Sequence, residues 1–281
     1  MLAPTGPAKT NVATLGLERC AAVTIFMSRQ ASRELDGLTA VVTGSSSGIG
    51  RAIALELATA GANTLVHARR SRAAADQVAQ AARDLGVNAQ VVLCDLADAA
   101  SHAGFVEQAW NWRGSVDIWV NNAGADVLTG DSAAWSFQRK LDELWRVDVV
   151  ATIALSRAAG ARMKARGTGA IINMGWDRAE HGLAGDSAEL FSATKGAVMA
   201  FSKSLAFSLA PEVRVNCVAP GWIKTKWGDS ASQYWQDLAH DQSLLARWGT
   251  PADVAAAVRY LASPAASFVT AQTVAINGGL K

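Results

Sequence analysis

Apolar positions along the chain gather in short β-branched runs, separated by longer stretches in which Ala and Leu recur at helical spacing. The first run, residues 38–43, ends in glycines and reads as a buried strand. Helical patterning follows over 51–60 and stops at Gly61. Residues 63–67 read as a second strand and 73–85 as a second helix. Residues 89–94 form a third strand ending at Asp95, and 118–120 a fourth that runs into Asn121-Asn122-Ala123-Gly124. A helix over about 141–166 precedes a fifth strand at 170–173, and a long helix over 191–209 ends near Pro211. A sixth strand, 213–218, leads to Pro220-Gly221, and a helix over 251–261 and a strand over 272–276 close the pattern. Strands alternating with helices at this spacing predict an α/β fold: a single Rossmann-type, doubly wound domain whose parallel sheet carries helices on both faces.

That domain is expected to occupy residues 36–281. Residues 1–35 read as an N-terminal extension outside the fold and disordered, with Pro4, Gly6, Pro7 and Gly16 ahead of a brief apolar stretch at 21–27. Glu18 and the brevity of that stretch argue against a signal peptide, and Met27 is the simpler candidate for the natural start.

Composition narrows the partners. Half of the 281 residues are hydrophobic, enough for one substantial core, and 26 basic against 24 acidic residues leave a net charge of +2. No nucleic-acid partner is expected, because Arg69, Arg70 and Arg72 form the only basic cluster and it is too short for a binding stripe. No apolar run approaches the ~18 residues of a membrane span, so no membrane partner is expected either. Cys20, Cys94 and Cys217 are few and widely spaced, which argues against a disulfide framework or a metal site and suits a reducing cytoplasm.

The candidate chemistry begins at Gly44-Ser45-Ser46-Ser47-Gly48-Ile49-Gly50, where a β-branched strand hands over to a helix. Glycines there let backbone approach a pyrophosphate, and the helix start adds unpaired N–H groups and positive dipole. At the end of the second strand, an enzyme using NAD(H) places a carboxylate to accept from the adenosine ribose. This chain has Ala68 there, then Arg69 and Arg70. Guanidinium groups pair with a 2′-phosphate, so NADP(H) is the preferred cofactor, with NAD(H) possible.

The glycine pattern, Asp95, Asn121-Asn-Ala-Gly124, Lys195, Pro220-Gly-Trp-Ile-Lys-Thr225 and the tail from Arg247 to Gly279 occur in one order. In that order they resemble the short-chain dehydrogenase/reductase family, and its 3-oxoacyl-carrier-protein reductase branch, over about residues 36–280. The resemblance implies that Gly44, Ser46, Ser47 and Ile49 line the phosphates, and that Asp95 and Leu96 meet the adenine. It places Asn122, Ala123 and Gly124 at the ribose region, Lys195 on the nicotinamide ribose, and Pro220, Gly221, Ile223 and Thr225 at the carboxamide end. A homo-oligomer, dimer or tetramer, is implied by analogy through the helices at 147–158 and 197–209.

The resemblance breaks at the reaction centre. The family uses Asn, Ser, Tyr and Lys; here those positions hold Asp148, Trp176, Phe191 and Lys195. Phe191 has no proton to give, and losing a positioned acid typically costs about 10²–10⁴-fold in rate. One reading keeps an oxidoreductase acting on a small carbonyl, imine or enoyl substrate with a non-standard proton donor, in a pocket walled by Trp176, Phe191 and Trp222. Glu189, Asp177, His181 or Tyr234 could donate, the last from a lid-like segment at 227–235. A variant needs no donor, because an iminium ion is neutralised by hydride itself and Asp148 and Glu189 could stabilise the cation. Catalytic roles are therefore assigned to Lys195, Asp148 and Glu189. The alternatives are a nicotinamide-nucleotide-binding protein or regulatory subunit without catalysis, and a purely structural subunit.

Overall fold

Seven strands, each short and mostly buried, assemble in the order β3-β2-β1-β4-β5-β6-β7, every neighbouring pair parallel. They are β1 (Thr39–Val42), β2 (Asn63–Ala68), β3 (Ala89–Leu93), β4 (Ile118–Asn121), β5 (Gly169–Met174), β6 (Val213–Pro220) and β7 (Thr273–Ile276). The computed structural model describes residues 33–225, 228 and 231–280. Of the expected extension 1–35, residues 1–32, including the start at Met27, lie outside the described residues, whereas Leu35 is buried in the core and its amide donates to the Ala60 carbonyl.

The period-2 alternation of a strand divides the core between the two faces of the sheet. Val42, Val66, Val120 and Ile172 point to one face, where α1 (Gly48–Thr59) and the helix Pro251–Ala262 pack through Ile53, Leu57, Val254 and Val258. Val41, Leu65, Trp119 and Ile171 point to the other. There they meet α3 (Ser101–Arg113), α5 (Ala151–Arg166) and α7 (Asp186–Leu209). The remaining helices are α2 (Arg72–Asp84), α4 (Phe137–Leu144), α6 (Arg178–His181), α8 (Gln233–Gln242) and α9, which is Pro251–Ala262. Thr250 caps α9 in a reciprocal box with Asp253, as Thr-Pro before an Ala-rich run suggests.

Three local differences matter for the site. Helix α7 starts at Asp186, five residues ahead of the predicted Phe191, so residues expected in a loop form its first turns. The predicted helix over 141–166 starts at Phe137 and contains a π-helical turn, Trp145–Val150, between α4 and α5. Helix α3 was not legible, because Gly104 and the half-buried Trp110 and Trp112 blur the contrast around its buried stripe of His102, Phe105, Val106 and Ala109.

Strand order reverses direction at β1 and β4, since the chain goes β1 to β2 to β3 on one side and continues from β4 on the other. The crevice beyond the carboxyl ends of β1 and β4 is where ligands bind in open α/β sheets.

Candidate functional site

The loop after β1 is built to hold backbone close to whatever fills that crevice. Gly44 adopts φ +63°, and a Cβ there would lie 2.8 Å from the Cα of Ala123. A Cβ on Gly50 would lie 2.3 Å from the Gly44 carbonyl oxygen. Thr43 Oγ1 accepts from the Asn122 and Ala123 amides, each at 2.9 Å, while Asn122 Nδ2 donates to the carbonyls of Thr43 and Gly44. These bonds stitch the glycine turn to the end of β4. At Gly48 the Cβ position is open space, and Ser47 caps α1 without a side-chain bond. The helix start is thus an anion cradle of the kind a pyrophosphate requires, and the residues present fit that group.

His67 fixes the turn from the β2 side. Its Nδ1 accepts from the Gly44 amide at 2.9 Å, which leaves Nε2–H to donate to the Cys94 carbonyl, also at 2.9 Å. Burial pushes the imidazole below its usual value of 6.5, in agreement with a neutral ring in this role.

A cleft of about 690 Å³ opens beside the turn. Gly44, Ser46, Ser47, Ile49, Asp95, Leu96, Asn122, Ala123 and Gly124 all line it, so the structure gathers these sequence-selected residues in one place. Arg69 lines it too, its guanidinium 3.8 Å from Asp95 and 3.6 Å from Glu143. Arg70, exposed on the same bend, is not among the residues that line it.

A second cleft, about 660 Å³, adjoins the first: Ile49, Asn122 and Thr225 line both. Lys195 lines the second, with Pro220, Gly221 and Ile223. Its Nζ lies 2.8 Å from Asp148 Oδ2, and Asp148 Oδ1 accepts from the Ala125 amide at 2.8 Å. Asp148 sits in the π-helical turn, where the widened backbone sets this carboxylate against the end of β4. Trp176 and Phe191 meet edge to face with centroids 6.2 Å apart. Across from them Trp222 contacts Trp235 at 5.4 Å and Trp248 at 6.0 Å, and its indole N–H donates to Gln242. The wall is aromatic, and no phenol or Ser hydroxyl stands at the two positions where the resemblance expects them.

None of the four candidate replacement acids lines this cleft. Ala188, Phe191 and Lys195 fall on one face of α7 by their spacing; Glu189, one residue on from Ala188, turns by about 100° and is exposed. The catalytic assignment of Glu189 is therefore corrected. His181 is exposed, and Tyr234 is 66% exposed with its ring against Trp235. Asp177 is buried behind the Gly221 turn, where Asn277 donates to it and burial pushes its carboxyl up. Residues 227, 229 and 230 of the lid-like segment lie outside the described residues, and its last three residues, 233–235, open α8.

Sequence reasoning missed Glu143 and His67, which line the first cleft, and gave no individual role to Trp235 and Trp248, which line the second. Trp235 ends the lid-like segment at 227–235, and Trp248 lies in the Arg247–Gly279 tail beside the Gly-Thr-Pro start of α9, so both fall in segments the sequence marks. Among the described residues, no group of three or more His, Cys, Asp or Glu could hold a metal ion, and no helix is long and apolar enough to cross a membrane.

Comparisons with known proteins agree with this architecture. Residues 43–281 match the family model described as enoyl-(acyl carrier protein) reductase. The chain is 30% identical to tropinone reductase-like 3 of Erythroxylum coca over 251 residues, 88% of this chain and 94% of that protein. It is 33% identical to a 3-oxoacyl-[acyl-carrier-protein] reductase of Staphylococcus aureus, covering 86% of this chain and 97% of that one. Among solved structures, a gluconate 5-dehydrogenase from Burkholderia cenocepacia in complex with NADP and tartrate superposes with a TM-score of 0.79 at 31% identity. The overlap covers 89% of this chain and 98% of that one. With its fold, glycine turn, Lys195 and near full-length match, the chain belongs to the short-chain dehydrogenase/reductase family of NAD(P)-dependent oxidoreductases.

Proposed function

We propose that this chain is an NADP(H)-dependent oxidoreductase that transfers hydride to or from a small organic substrate held in the aromatic cleft, without an aromatic hydroxyl as proton donor. The observation that carries the reading is the junction of the two clefts at Ile49, Asn122 and Thr225, with Lys195 beside it. A dinucleotide laid along the first cleft brings its reactive end to the second.

Gly44, Ser46, Ser47 and Ile49, with the start of α1, would hold the pyrophosphate through backbone N–H groups. Asp95 and Leu96 would meet the adenine, and Arg69 the 2′-phosphate that distinguishes NADP(H). Asn122, Ala123, Gly124 and Lys195 would hold the nicotinamide ribose, and Pro220, Gly221, Ile223 and Thr225 the carboxamide. The bound coenzyme would supply or accept hydride. Trp176, Phe191 and Trp222 would exclude water and shape the substrate site. Asp148 would hold the Lys195 ammonium at the ribose rather than in the substrate volume.

Exposed Trp145, Val150, Phe207 and Phe268 suit a homo-oligomer, which light scattering tests. Calorimetric titration with NADPH, NADP⁺ and NADH tests the central reading. Tighter binding of NADP(H) than NAD(H) supports it; a preference for NAD(H) by roughly tenfold, about 1.4 kcal/mol, overturns the choice of coenzyme. Absence of binding to all of them overturns the function itself.

A further inference from the structure

The substrate-side cleft has no hydroxyl at the two positions where the family places donors to a developing alkoxide. A carbonyl that receives hydride becomes an oxyanion, and catalysis needs a donor aimed at that oxygen. Trp176 from the end of β5 and Phe191 from α7 stand where the donors are expected, ring edge to ring face. The Trp222 N–H donates to Gln242 and Lys195 pairs with Asp148, and the Ser187 and Thr225 hydroxyls and the Trp176 indole among the lining residues are neutral groups. Among the described lining residues only Asp186 and Lys195 are ionisable. Since Asp148 neutralises Lys195 at 2.8 Å, Asp186 at the rim leaves the cleft with a negative balance. The walls present five aromatic side chains, Trp176, Phe191, Trp222, Trp235 and Trp248. Aromatic faces attract organic cations, by about 2 kcal/mol or more where water is excluded.

We infer that the cleft takes an organic cation, and that the substrate is an iminium ion, a carbon doubly bonded to a positively charged nitrogen. Hydride from the reduced nicotinamide forms one C–H bond, and the C=N π pair becomes the nitrogen lone pair. The nicotinamide is oxidised, the product is a neutral amine, and no proton moves. The absent phenol is then no handicap, and loss of the positive charge weakens the product's hold on the aromatic walls. This assignment rests on the preceding reading of the cleft as the substrate side of a hydride-transfer site, and it deepens that reading.

The test has a binding arm and a turnover arm. In the first, the protein with saturating NADPH is titrated with the inert dimethyl tetrahydroisoquinolinium ion and with its neutral carbon isostere, following tryptophan fluorescence. The cation is expected to bind at least roughly tenfold tighter. Asp186→Asn is expected to weaken the cation and leave the isostere unchanged. In the second arm, NADPH is supplied with an N-methyl dihydroisoquinolinium salt or with α-tetralone. Turnover of the iminium, flat in rate across neutral pH, with little or none of the ketone, supports the proposal. Equal affinity of cation and isostere overturns it, as does faster reduction of the ketone. A protein that binds NADPH and reduces the ketone keeps the oxidoreductase reading and loses this one; a protein that binds no coenzyme loses the earlier reading first.

Discussion

Asp148 Oδ2 and Lys195 Nζ form an ion pair 2.8 Å long, with side-chain exposures of 2% and 13%, that ties the π-helical turn to the middle of α7. Removing one partner of such a pair leaves the other charged and desolvated, at a cost of about 3 kcal/mol or more. Asp148→Ala is therefore expected to lower stability by roughly that amount. Asp148→Asn should lose less, because the amide oxygen still accepts from Ala125. Urea unfolding midpoints of the two variants beside the parent measure this, and an unchanged midpoint for the Ala variant contradicts a stabilising pair.

Restoring the phenol alone should not restore ketone chemistry fully. Phe191→Tyr places a hydroxyl one turn before Lys195, but the Trp176 ring, 6.2 Å from the ring of residue 191, still occupies the second donor's place. The expected order of ketone reduction is parent, then Phe191→Tyr, then Phe191→Tyr with Trp176→Ser. The double variant should gain on the order of 10²–10⁴-fold. NADPH oxidation with α-tetralone reads the series, and a single variant as fast as the double contradicts a role for Trp176.

Glu143 sets the charge that Arg69 offers to the coenzyme. Its carboxylate lies 3.6 Å from Arg69 and 2.6 Å from Arg146, at 14% exposure inside the first cleft. Glu143→Gln should leave Arg69 with Asp95 as its remaining ion-pair partner and tighten NADP⁺ by a few fold, with little effect on NAD⁺. Arg69→Ala should cost NADP⁺ about tenfold, roughly 1.4 kcal/mol. Calorimetry with both nucleotides separates these outcomes from a general loss of folding.

His67 makes the glycine turn sensitive to acid. Burial lowers its pKa below the usual 6.5, so the folded state binds its proton less readily than the unfolded chain. The stability this ring contributes is fully present above about 6.5 and is lost as pH falls from there through the folded value. Protonated Nδ1 can no longer accept from the Gly44 amide. Denaturant midpoints measured downward from neutral pH should fall more steeply for the parent than for His67→Leu. Equal slopes would show that the ring does not titrate on unfolding.

Most of the fold was legible because buried parallel strands are short, β-branched and bounded by turn residues, as in Thr39–Val42 before Gly44. The coenzyme cleft was legible for the same reason: its residues sit at strand ends, where the motif order fixes their place. The reaction end was less so. Phe191 and Trp176 announced the missing donors, but the early start of α7 decided that Glu189 faces solvent. Four acidic residues between 177 and 189 hid that start among what read as a polar loop. Glu143 acts through tertiary placement, for which neither spacing nor residue type gives a local signal.

Ile49, Asn122 and Thr225 serve two chambers at once. A molecule seated in the first becomes part of the wall of the second, so neither equilibrium can be independent of the other. Linkage makes the effect mutual: whatever factor the nucleotide adds to affinity for the smaller guest, that guest returns to the nucleotide. The two partners should therefore enter in sequence, dinucleotide first, and the later arrival should slow its companion's departure.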